Sequence, residues 1–318
     1  MTIVFISTAP EKPSGGVKVI YQFCEDLIKK GFKSEILHTD NLMGSCDWLS
    51  YDVSYRRHLS VDNKTDFVVI PEGAAGFFGK VCIQLGIKYC ILVQNGYQIY
   101  NVVEQSTRDE LDEIYQKSSL ILSISDDTTN IIKYIHKDLD QQKILRVYPK
   151  INRTIFYKGN KKTNAILYMP RRLGLHSYTL NYFLEKNIPS NWTMSPVDNM
   201  SENEVGEQLR SSSIFLSFSD LEGFGLPPLE AALCGNIVIG YSGQGGNEYF
   251  NNSIFRKVEY GNFLQYSECV LNAIDTLERG YFSSMEYLEN LTKLSLQYSD
   301  ESYEKSLIEF AKKVNALF

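Results

Sequence analysis

Two glutamates on either side of a glycine-rich turn are the residues of this sequence whose types and spacing best suit chemistry. Residues 217–235 read SFSDLEGFGLPPLEAALCG, with Glu222 and Glu230 eight positions apart. The preceding apolar run predicts a strand at 214–217, and the prolines and Gly235 predict the beginning and end of a short helix. This pattern places Glu222 in the loop and Glu230 one turn into the helix.

The same segment predicts a site for an anion that carries hydroxyl groups. The backbone N–H groups of Gly223, Phe224 and Gly225, with the helix N-terminus, can bind phosphate oxygens. A carboxylate beside them would repel phosphate but can hold hydroxyls, so the combination suits a phosphate-linked sugar. Alternatively, Glu222 is an acid exposed to solvent, and Glu230 is an acid near a helix N-terminus that the helix dipole stabilises; neither would then bind a ligand.

A pair of arginines follows the first predicted strand of the second half of the chain. Arg171 and Arg172 come directly after a strand predicted at 165–169. A guanidinium at a strand end can bind a diphosphate through paired hydrogen bonds and stabilise it as a leaving group. A solvent-facing arginine pair after a strand is the alternative explanation.

Residues 8–16 (TAPEKPSGG) follow the first predicted strand and precede a helix. Gly15 and Gly16 allow the backbone to approach a ligand, and the helix N-terminus presents N–H groups to an anion or a sugar hydroxyl. The segment is not the G-x-G-x-x-G motif of dinucleotide-binding proteins. An ordinary strand–helix turn containing glycine explains it equally well.

Two more strand-end loops carry weaker signals. Gln94 and Asn95 follow a strand predicted at 89–93, where their amides could contact a sugar, although an Asn-Gly turn explains the same residues. Gly246 lies in a glycine-rich loop at 243–248, after a strand predicted at 237–240. That loop would shape a ligand pocket or serve only as a turn.

Elements that would position these loops alternate along both halves of the chain. Near-continuous apolar strands separated by helices predict parallel sheets covered on both faces. The predicted strands are 2–7, 34–38, 67–70, 89–93, 120–123 and 144–147, then 165–169, 192–194, 214–217, 237–240 and 254–258, and the predicted helices include 17–30, 126–136, 177–186, 201–211 and 300–317. A polar linker at 148–163 separates two doubly wound α/β halves, in which ligands bind beyond the carboxyl ends of the strands.

Composition excludes several other classes of protein. The chain has 318 residues, 43% of them hydrophobic, and a net charge of −6, which does not mark a nucleic-acid or membrane binder. The N-terminus has no signal-peptide pattern, no run is long enough for a membrane helix, and the six cysteines are scattered. A cytoplasmic location is therefore expected. The sequence shows no metal motif, no P-loop and no nucleophile elbow.

The segment EGFGLPPLEAALCG resembles the E-x7-E motif of GT-B glycosyltransferases, especially the retaining, family 4-like group. The resemblance implies two Rossmann-like domains facing across a cleft, at 1–150 and 151–299, with a final helix at 300–318 that crosses back to the first. It implies transfer of a hexose or pentose from a nucleotide-diphosphate sugar to an acceptor hydroxyl, with retention and without a metal ion or other cofactor. The acceptor, whether a glycan, a lipid-linked sugar, a protein or a modified nucleic acid, stays open, as does the oligomeric state.

The resemblance also assigns roles to residues. Glu222 would orient the transferred sugar, Glu230 would hold the donor ribose, and Arg171 and Arg172 would bind the diphosphate. The family's strand-end arginine is usually followed by a lysine that this sequence lacks, so Arg172 or His176 would supply the second positive charge. The catalytic residues expected are Glu222, Arg171 and Arg172; those for donor binding are Gly223, Phe224, Gly225, Leu226, Glu230, Gly15, Gly16 and Gly246; and those on the acceptor side are Gln94 and Asn95. The acceptor would enter near Gly15, Gly16, Gln94 and Asn95 when the cleft closes.

Three alternatives share the same fold. The first is an epimerase or phosphorylase, which turns over its substrate without a second sugar acceptor. The second is a non-catalytic subunit that binds a nucleotide sugar, and the third is a glycosyltransferase that modifies a DNA base, as some bacteriophage enzymes do. Between Gln141 and Leu184 the chain has nine Lys and Arg residues and no Asp or Glu. This basic segment is either a solvated surface or a region that attracts an anionic donor or a polyanionic acceptor.

Overall fold

The computed structural model describes residues 1–11, 14–40, 44, 46–102 and 106–318, with the backbone alone at 101 and 102. Within them the chain divides into two compact units. Unit 1 is Met1–Lys150 with Glu301–Phe318, and unit 2 is Ile151–Asp300. Lys12 and Pro13 of the predicted 8–16 loop lie outside the described residues.

Unit 1 is built on a parallel sheet with the strand order β2-β1-β3-β4-β5-β6. Its strands are β1 Thr2–Ser7, β2 Ser34–His38, β3 Asp66–Pro71, β4 Lys88–Val93, β5 Leu120–Ser123 and β6 Ile144–Arg146. Its helices are α1 Gly15–Lys29, α2 Ala75–Leu85, α3 Arg108–Lys117 and α4 Asp126–Ile135, with 3₁₀ helices at Glu72–Ala74, Gly96–Val102 and Gln141–Lys143. The central strands are almost wholly buried, as expected for a sheet with helices on both faces.

Unit 2 contains a second parallel sheet with the order β11-β10-β9-β7-β8. Its strands are β7 Ala165–Tyr168, β8 Thr193–Pro196, β9 Ile214–Glu222, β10 Ile237–Gln244 and β11 Phe255–Lys257. Its helices are α5 Gly174–Leu184, α6 Glu202–Ser211, α7 Leu226–Leu233, α8 Phe263–Glu278 and α9 Met285–Gln297, with 3₁₀ helices at Gly245–Glu248 and Tyr281–Ser283. The last helix, α10 Asp300–Asn315, packs in unit 1, where Phe310 contacts Phe67. The predicted fold class, two doubly wound parallel sheets, is confirmed.

Each sheet has one point at which the chain reverses the direction of its crossovers. In unit 1 this switch point lies between β1 and β3, and in unit 2 it lies between β7 and β9. In open α/β sheets, ligands bind outside the carboxyl ends of the strands at such a point. The loops after β1, β3, β7 and β9 are therefore the ones to inspect for a site.

The structure corrects the predicted ends of several elements. The prediction that Glu222 lies in a loop is wrong, because β9 stays paired with β10 up to Glu222, with an irregularity between Ser242 and Gln244. Gly246 likewise lies in a 3₁₀ helix, and α1 begins at Gly15, so both predicted glycines belong to its first turn. The strand β9 continues beyond its predicted end because its backbone pairing with β10 extends past the apolar residues from which the strand was predicted.

Candidate functional site

An ion pair joins the ends of β7 and β9 at the switch point of unit 2. Arg172 Nε lies 2.9 Å from Glu222 Oε1, and the side chains are 60% and 22% exposed. Burial raises the pKa of the Glu222 carboxyl, Arg172 opposes that rise, and Asp220 adds to it. The pair thus combines a guanidinium open to solvent with a carboxylate that is partly removed from it. Arg171, the preceding residue, is exposed.

The glycine turn after Glu222 leads directly into α7. Gly225 precedes the helix with φ of +82°, a left-handed conformation that favours glycine. Pro227 and Pro228 follow Leu226 at the start of the helix, so two of its first N–H groups are missing. The N–H groups at this end of the sheet therefore come mainly from the turn itself and from Leu226.

Tyr249 sets the orientation of these N–H groups. Its buried hydroxyl donates hydrogen bonds to the carbonyl oxygens of Phe224, at 3.0 Å, and Gly225. Because a trans peptide directs its C=O and N–H oppositely, the N–H groups of Gly225 and Leu226 point away from Tyr249. Tyr249 therefore fixes the predicted anion-binding turn from the side opposite to these N–H groups.

The carboxylates of this region surround the same tyrosine. The pKa of Tyr249 is raised well above its ordinary value, first by burial and then by the charges of Glu248, Glu222 and Glu230. Glu230 is half-buried on α7, and Glu248 accepts a hydrogen bond of 2.9 Å from the Tyr298 hydroxyl. The structure therefore brings both predicted glutamates, and a third, to the carboxyl edge of the second sheet.

Glycines at the end of β10 allow a close backbone approach to the turn. A Cβ on Gly245 would stand 2.2 Å from the Gly223 carbonyl oxygen and 2.6 Å from that of Glu222. A Cβ on Gly246 would instead meet the tip of the Tyr249 side chain, at 2.9 Å. Gly245, which the sequence did not single out, is thus the residue that lies directly against the turn.

Backbone strain is concentrated at the same edge of the sheet. Among the described residues, positive φ values outside glycine occur at Leu173 (46°), Asn199 (52°) and Gln244 (68°). Leu173 follows Arg172 after β7, Asn199 comes shortly after β8, and Gln244 is the last residue of β10. Such conformations cost on the order of 1–3 kcal/mol each and cluster at ligand sites.

His176 is held within a cluster of aromatic rings. Its Nδ1 lies 3.2 Å from the Tyr241 hydroxyl, which also accepts the N–H of Gly261. Its ring contacts those of Tyr260 and Phe263 at centroid distances of 5.0 and 5.1 Å. These contacts orient the imidazole of His176, while Arg172 already carries the positive charge beside Glu222.

In unit 1 the structure brings two of the predicted loops together. Gln94 Nε2 donates a hydrogen bond of 3.1 Å to the Gly16 carbonyl, and the Gln94 amide lies over Gly16. Asn95 Oδ1 accepts the N–H of Tyr97 at 3.0 Å, as expected for the predicted Asn-Gly turn. Among the described residues, and apart from its chain neighbours and its own helix backbone, nothing lies within 4 Å of the position that a Cβ on Gly15 would take. Gly15, Gly16, Gln94 and Asn95 belong to unit 1, and the other predicted site residues belong to unit 2.

Much of the basic segment between 141 and 184 is engaged with the protein itself. Lys150 pairs with the buried Asp26 at 2.8 Å, and Lys162 Nζ donates to two helix C-terminal carbonyls. Others that donate to protein groups are Lys143, Arg146 and Arg153. These contacts account for five of the nine positive charges without an anionic ligand.

Two kinds of feature are absent from the part of the chain that the structure describes. None of its helices is both long and apolar enough to cross a bilayer. Its His, Cys, Asp and Glu side chains form no group of three that could hold a metal ion.

Two residues of the site, Gly245 and Tyr249, and one residue beside the predicted acceptor-side loop, Glu72, escaped the sequence pattern. Gly245 lies in the glycine-rich loop at 243–248, in which the sequence pattern indicated only Gly246, and Tyr249 directly follows that loop; nothing local distinguishes either residue. Glu72, which accepts the N–H of Asn95 at 2.9 Å, could have been found, because it is an acid soon after a buried strand. Only the tertiary structure shows what each of them contacts.

Comparison with known proteins supports the resemblance to glycosyltransferases. Residues 184–258 match the family model for glycosyl transferases group 1. Over 87 residues, 26% of each chain, the sequence is 31% identical to an alpha-1,6-glucosyltransferase of Actinobacillus pleuropneumoniae serotype 7 (strain AP76). The match therefore spans about a quarter of that relative's length.

Solved structures resemble the whole chain. HepE of Anabaena, in complex with UDP, matches with a TM-score of 0.69 at 10% identity, covering 99% of this chain and 100% of that one. Sucrose-phosphate synthase of Thermosynechococcus elongatus matches with 0.70 at 12% identity, covering 100% and 99%. The lipopolysaccharide outer core galactosyltransferase WaaB, in its apo form, matches with 0.65 at 14% identity and full coverage of both chains. The predicted resemblance to GT-B glycosyltransferases is therefore confirmed, by the family model over residues 184–258 and by the GT-B fold over the whole chain.

Proposed function

We propose that this chain is a glycosyltransferase that moves a sugar from a nucleotide-diphosphate sugar to an acceptor hydroxyl, with retention and without a metal ion. The observation that carries the proposal is the Arg172–Glu222 pair at the β7/β9 switch point, beside the turn that Tyr249 orients. A guanidinium, aligned N–H groups and a partly buried carboxylate suit a diphosphate joined to a sugar.

In this mechanism unit 2 binds the donor. The N–H groups of Gly223–Leu226 and the guanidiniums of Arg171 and Arg172 hold the diphosphate, and Glu230 holds the ribose hydroxyls. As the glycosidic bond breaks, negative charge builds up on the leaving diphosphate, and donors already in place stabilise that charge. Since the diphosphate competes for Arg172, donor binding leaves Glu222 available to accept sugar hydroxyls.

The residues of unit 1 are assigned to the acceptor. Gln94 and Asn95 would orient the acceptor hydroxyl, and the first turn of α1, with Gly15 and Gly16, would contact the ligand through its backbone. Gly246 would shape the donor pocket through Tyr249. These roles follow from the family resemblance and from the contacts described above.

Names of the related proteins point to the first donor to test. HepE is seen with UDP-glucose and with UDP and glucose, and the relative from Actinobacillus is named as a glucosyltransferase. UDP-glucose is therefore the first donor in a thermal-shift panel with other UDP-, GDP- and ADP-sugars. A bound donor should raise the melting temperature by mass action, and a panel in which no nucleotide sugar raises it would contradict the proposal.

Two substitutions test the site. Glu230→Ala and Arg172→Ala should each lower kcat/KM for release of UDP from the donor by about 10²-fold, the scale observed when a preorganised donor is removed. Glu207→Ala and Arg279→Ala, at exposed positions of unit 2, serve as matched controls. Near-normal turnover in both site variants would refute the assignment.

The same measurements separate the alternatives. Donor binding in calorimetry without hydrolysis or transfer would indicate a non-catalytic subunit. Duplex DNA binding that weakens steeply with salt would indicate a nucleic-acid acceptor, although the internal contacts of the basic segment give no support for one. The anomeric configuration of the product, read by proton NMR, decides between retention and inversion.

A further inference from the structure

A buried carboxylate lies at the switch point of unit 1, outside the site described above. Glu72 directly follows β3, the strand that lies between β1 and β4 in the sheet. It is 6% exposed. Its Oε1 accepts the backbone N–H of Asn95 at 2.9 Å. None of the ion pairs among the described residues includes it.

A buried carboxylate at position 72 costs folding free energy. Burying a carboxylate without a cation is unfavourable unless hydrogen bonds replace its water. Burial raises the pKa of Glu72 to about 7, and backbone hydrogen bonding, as from the N–H of Asn95, opposes that rise. The Asn95 N–H donates to this carboxylate and so replaces part of its lost hydration.

The segment that Glu72 holds carries the predicted acceptor-side residues. Gln94 reaches from it to the Gly16 carbonyl, and Asn95 begins the 3₁₀ helix Gly96–Val102 through its bond to Tyr97. Gly96 packs against α4 so closely that a Cβ there would stand 2.9 Å from Ile131 Cδ1. The segment Gln94–Gly96 is therefore held by the bond from Gln94 to Gly16 and by the packing of Gly96 against α4. The bond from Asn95 to Glu72 holds the segment where it leaves β4.

We propose that Glu72 is a positioning residue for the acceptor, whose carboxylate fixes Gln94 and Asn95 in the orientation that presents the Gln94 amide beside Gly16. The proposal rests on the proposed function, since it takes Gln94 and Asn95 as acceptor-side residues. Glu72 acts through these two residues and does not itself touch substrate.

The surroundings of Glu72 set the direction of its pH dependence. The titratable group that faces it is Tyr115 of α3, whose pKa is raised well above its ordinary value by burial and by the charge of Glu72. The Tyr115 hydroxyl is buried without a hydrogen-bond partner among the described residues. Protonation of Glu72 weakens the hydrogen bond that its carboxylate accepts from the Asn95 N–H, so the acceptor should bind more weakly as the pH falls through about 7.

The first experiment needs no substrate. In ¹⁵N-labelled protein, the amide signals of Gln94 and Asn95 should shift with pH around a midpoint near 7, and Glu72→Gln should abolish this titration. Glu113→Gln, at an exposed position on α3, is the control that should leave it unchanged. Amide signals that do not titrate, or that titrate equally in Glu72→Gln, would overturn the proposal.

The second experiment separates acceptor from donor. With UDP-glucose as donor and a panel of methyl glycosides as acceptors, Glu72→Ala should raise the acceptor KM by about 10-fold or more, because small misplacements are costly. Its donor Kd in calorimetry should stay within about 2-fold, and Glu72→Gln should recover part of the loss. A change in donor Kd equal to the change in acceptor KM would overturn the proposal. Absence of donor turnover in the unsubstituted chain would instead refute the proposed function, while the amide titration would still decide whether Glu72 fixes the segment.

Discussion

Gly245→Ala tests whether the end of β10 sets the geometry of the turn at 223–226, which we propose binds the donor. The added Cβ would stand 2.2 Å from the Gly223 carbonyl oxygen and 2.3 Å from its carbonyl carbon. Non-bonded heavy atoms prefer separations of about 3.5 Å, so the two backbones must move apart by about 1 Å. Both neighbours are main-chain atoms, and no side-chain rotation can relieve the contact.

That displacement should affect both stability and catalysis. Overpacking of a close-packed interior costs about 1–3 kcal/mol, which urea unfolding followed by circular dichroism would measure. Misplacing a site by 1 Å costs about 10²-fold in rate. We therefore expect kcat/KM for release of UDP from UDP-glucose to fall by about that factor, with weaker donor binding in calorimetry.

Gly174→Ala is the matched control for this substitution. A Cβ on Gly174 would come no closer than 3.9 Å to Tyr178, and Gly174 is not among the glycines with positive φ. Its stability and donor affinity should stay close to those of the unsubstituted chain. Gly246→Ala, whose Cβ meets the Tyr249 side chain, should give an intermediate loss. A folded Gly245→Ala protein with unchanged donor Kd and kcat/KM would refute the reasoning.

Three further outcomes are expected. Asp26→Ala should lower the free energy of unfolding by about 3 kcal/mol in urea titration, because Asp26, 6% exposed, accepts hydrogen bonds of 2.8 Å from both Lys150 and the Tyr303 hydroxyl; a loss under 1 kcal/mol would contradict this. Burial lowers the pKa of Lys162 to about 7, so the unfolded chain binds more protons between pH 7 and 10, and stability should rise with pH over that range. Each pKa unit is worth about 1.4 kcal/mol, and since the bonds to two carbonyls offset part of the cost, the expected gain is on the order of 1–2 kcal/mol. Lys162→Met should lose this gain in urea titrations at pH 6.5 and 9, and an unchanged pH profile would count against it. EDTA should leave the rate of UDP release within about 2-fold, and a loss restored by Mn²⁺ would show that a metal takes part.

Local pattern was enough to predict much of the architecture. The sequence pattern located every strand among the described residues, and the helix predicted at 201–211 is α6, which begins with a capping box of Ser201 and Glu204. The helices α2 and α3 were missed for different reasons. Gly76 and Gly79 obscure the pattern of α2, although Gly79 is required because a Cβ there would stand 2.4 Å from Ile114. The capping box of Thr107 and Glu110 at α3 was a usable signal.

The candidate site, too, was predictable from the sequence only in part. Residue types and local spacing were sufficient to select Glu222, the glycine turn and Arg172, because a strand end, a turn and a helix start are encoded by neighbours in the chain. The pairing of Arg172 with Glu222 joins residues fifty positions apart, and the approach of Gly245 to the turn depends on how β9 and β10 align. The burial that raises the pKa of Glu72 and the hydrogen bonds through which Tyr249 orients the turn arise only when distant segments pack together. The sequence by itself determined which groups are present and in what order, and the tertiary structure decided which of them meet, since contact between distant segments is a property of the folded chain.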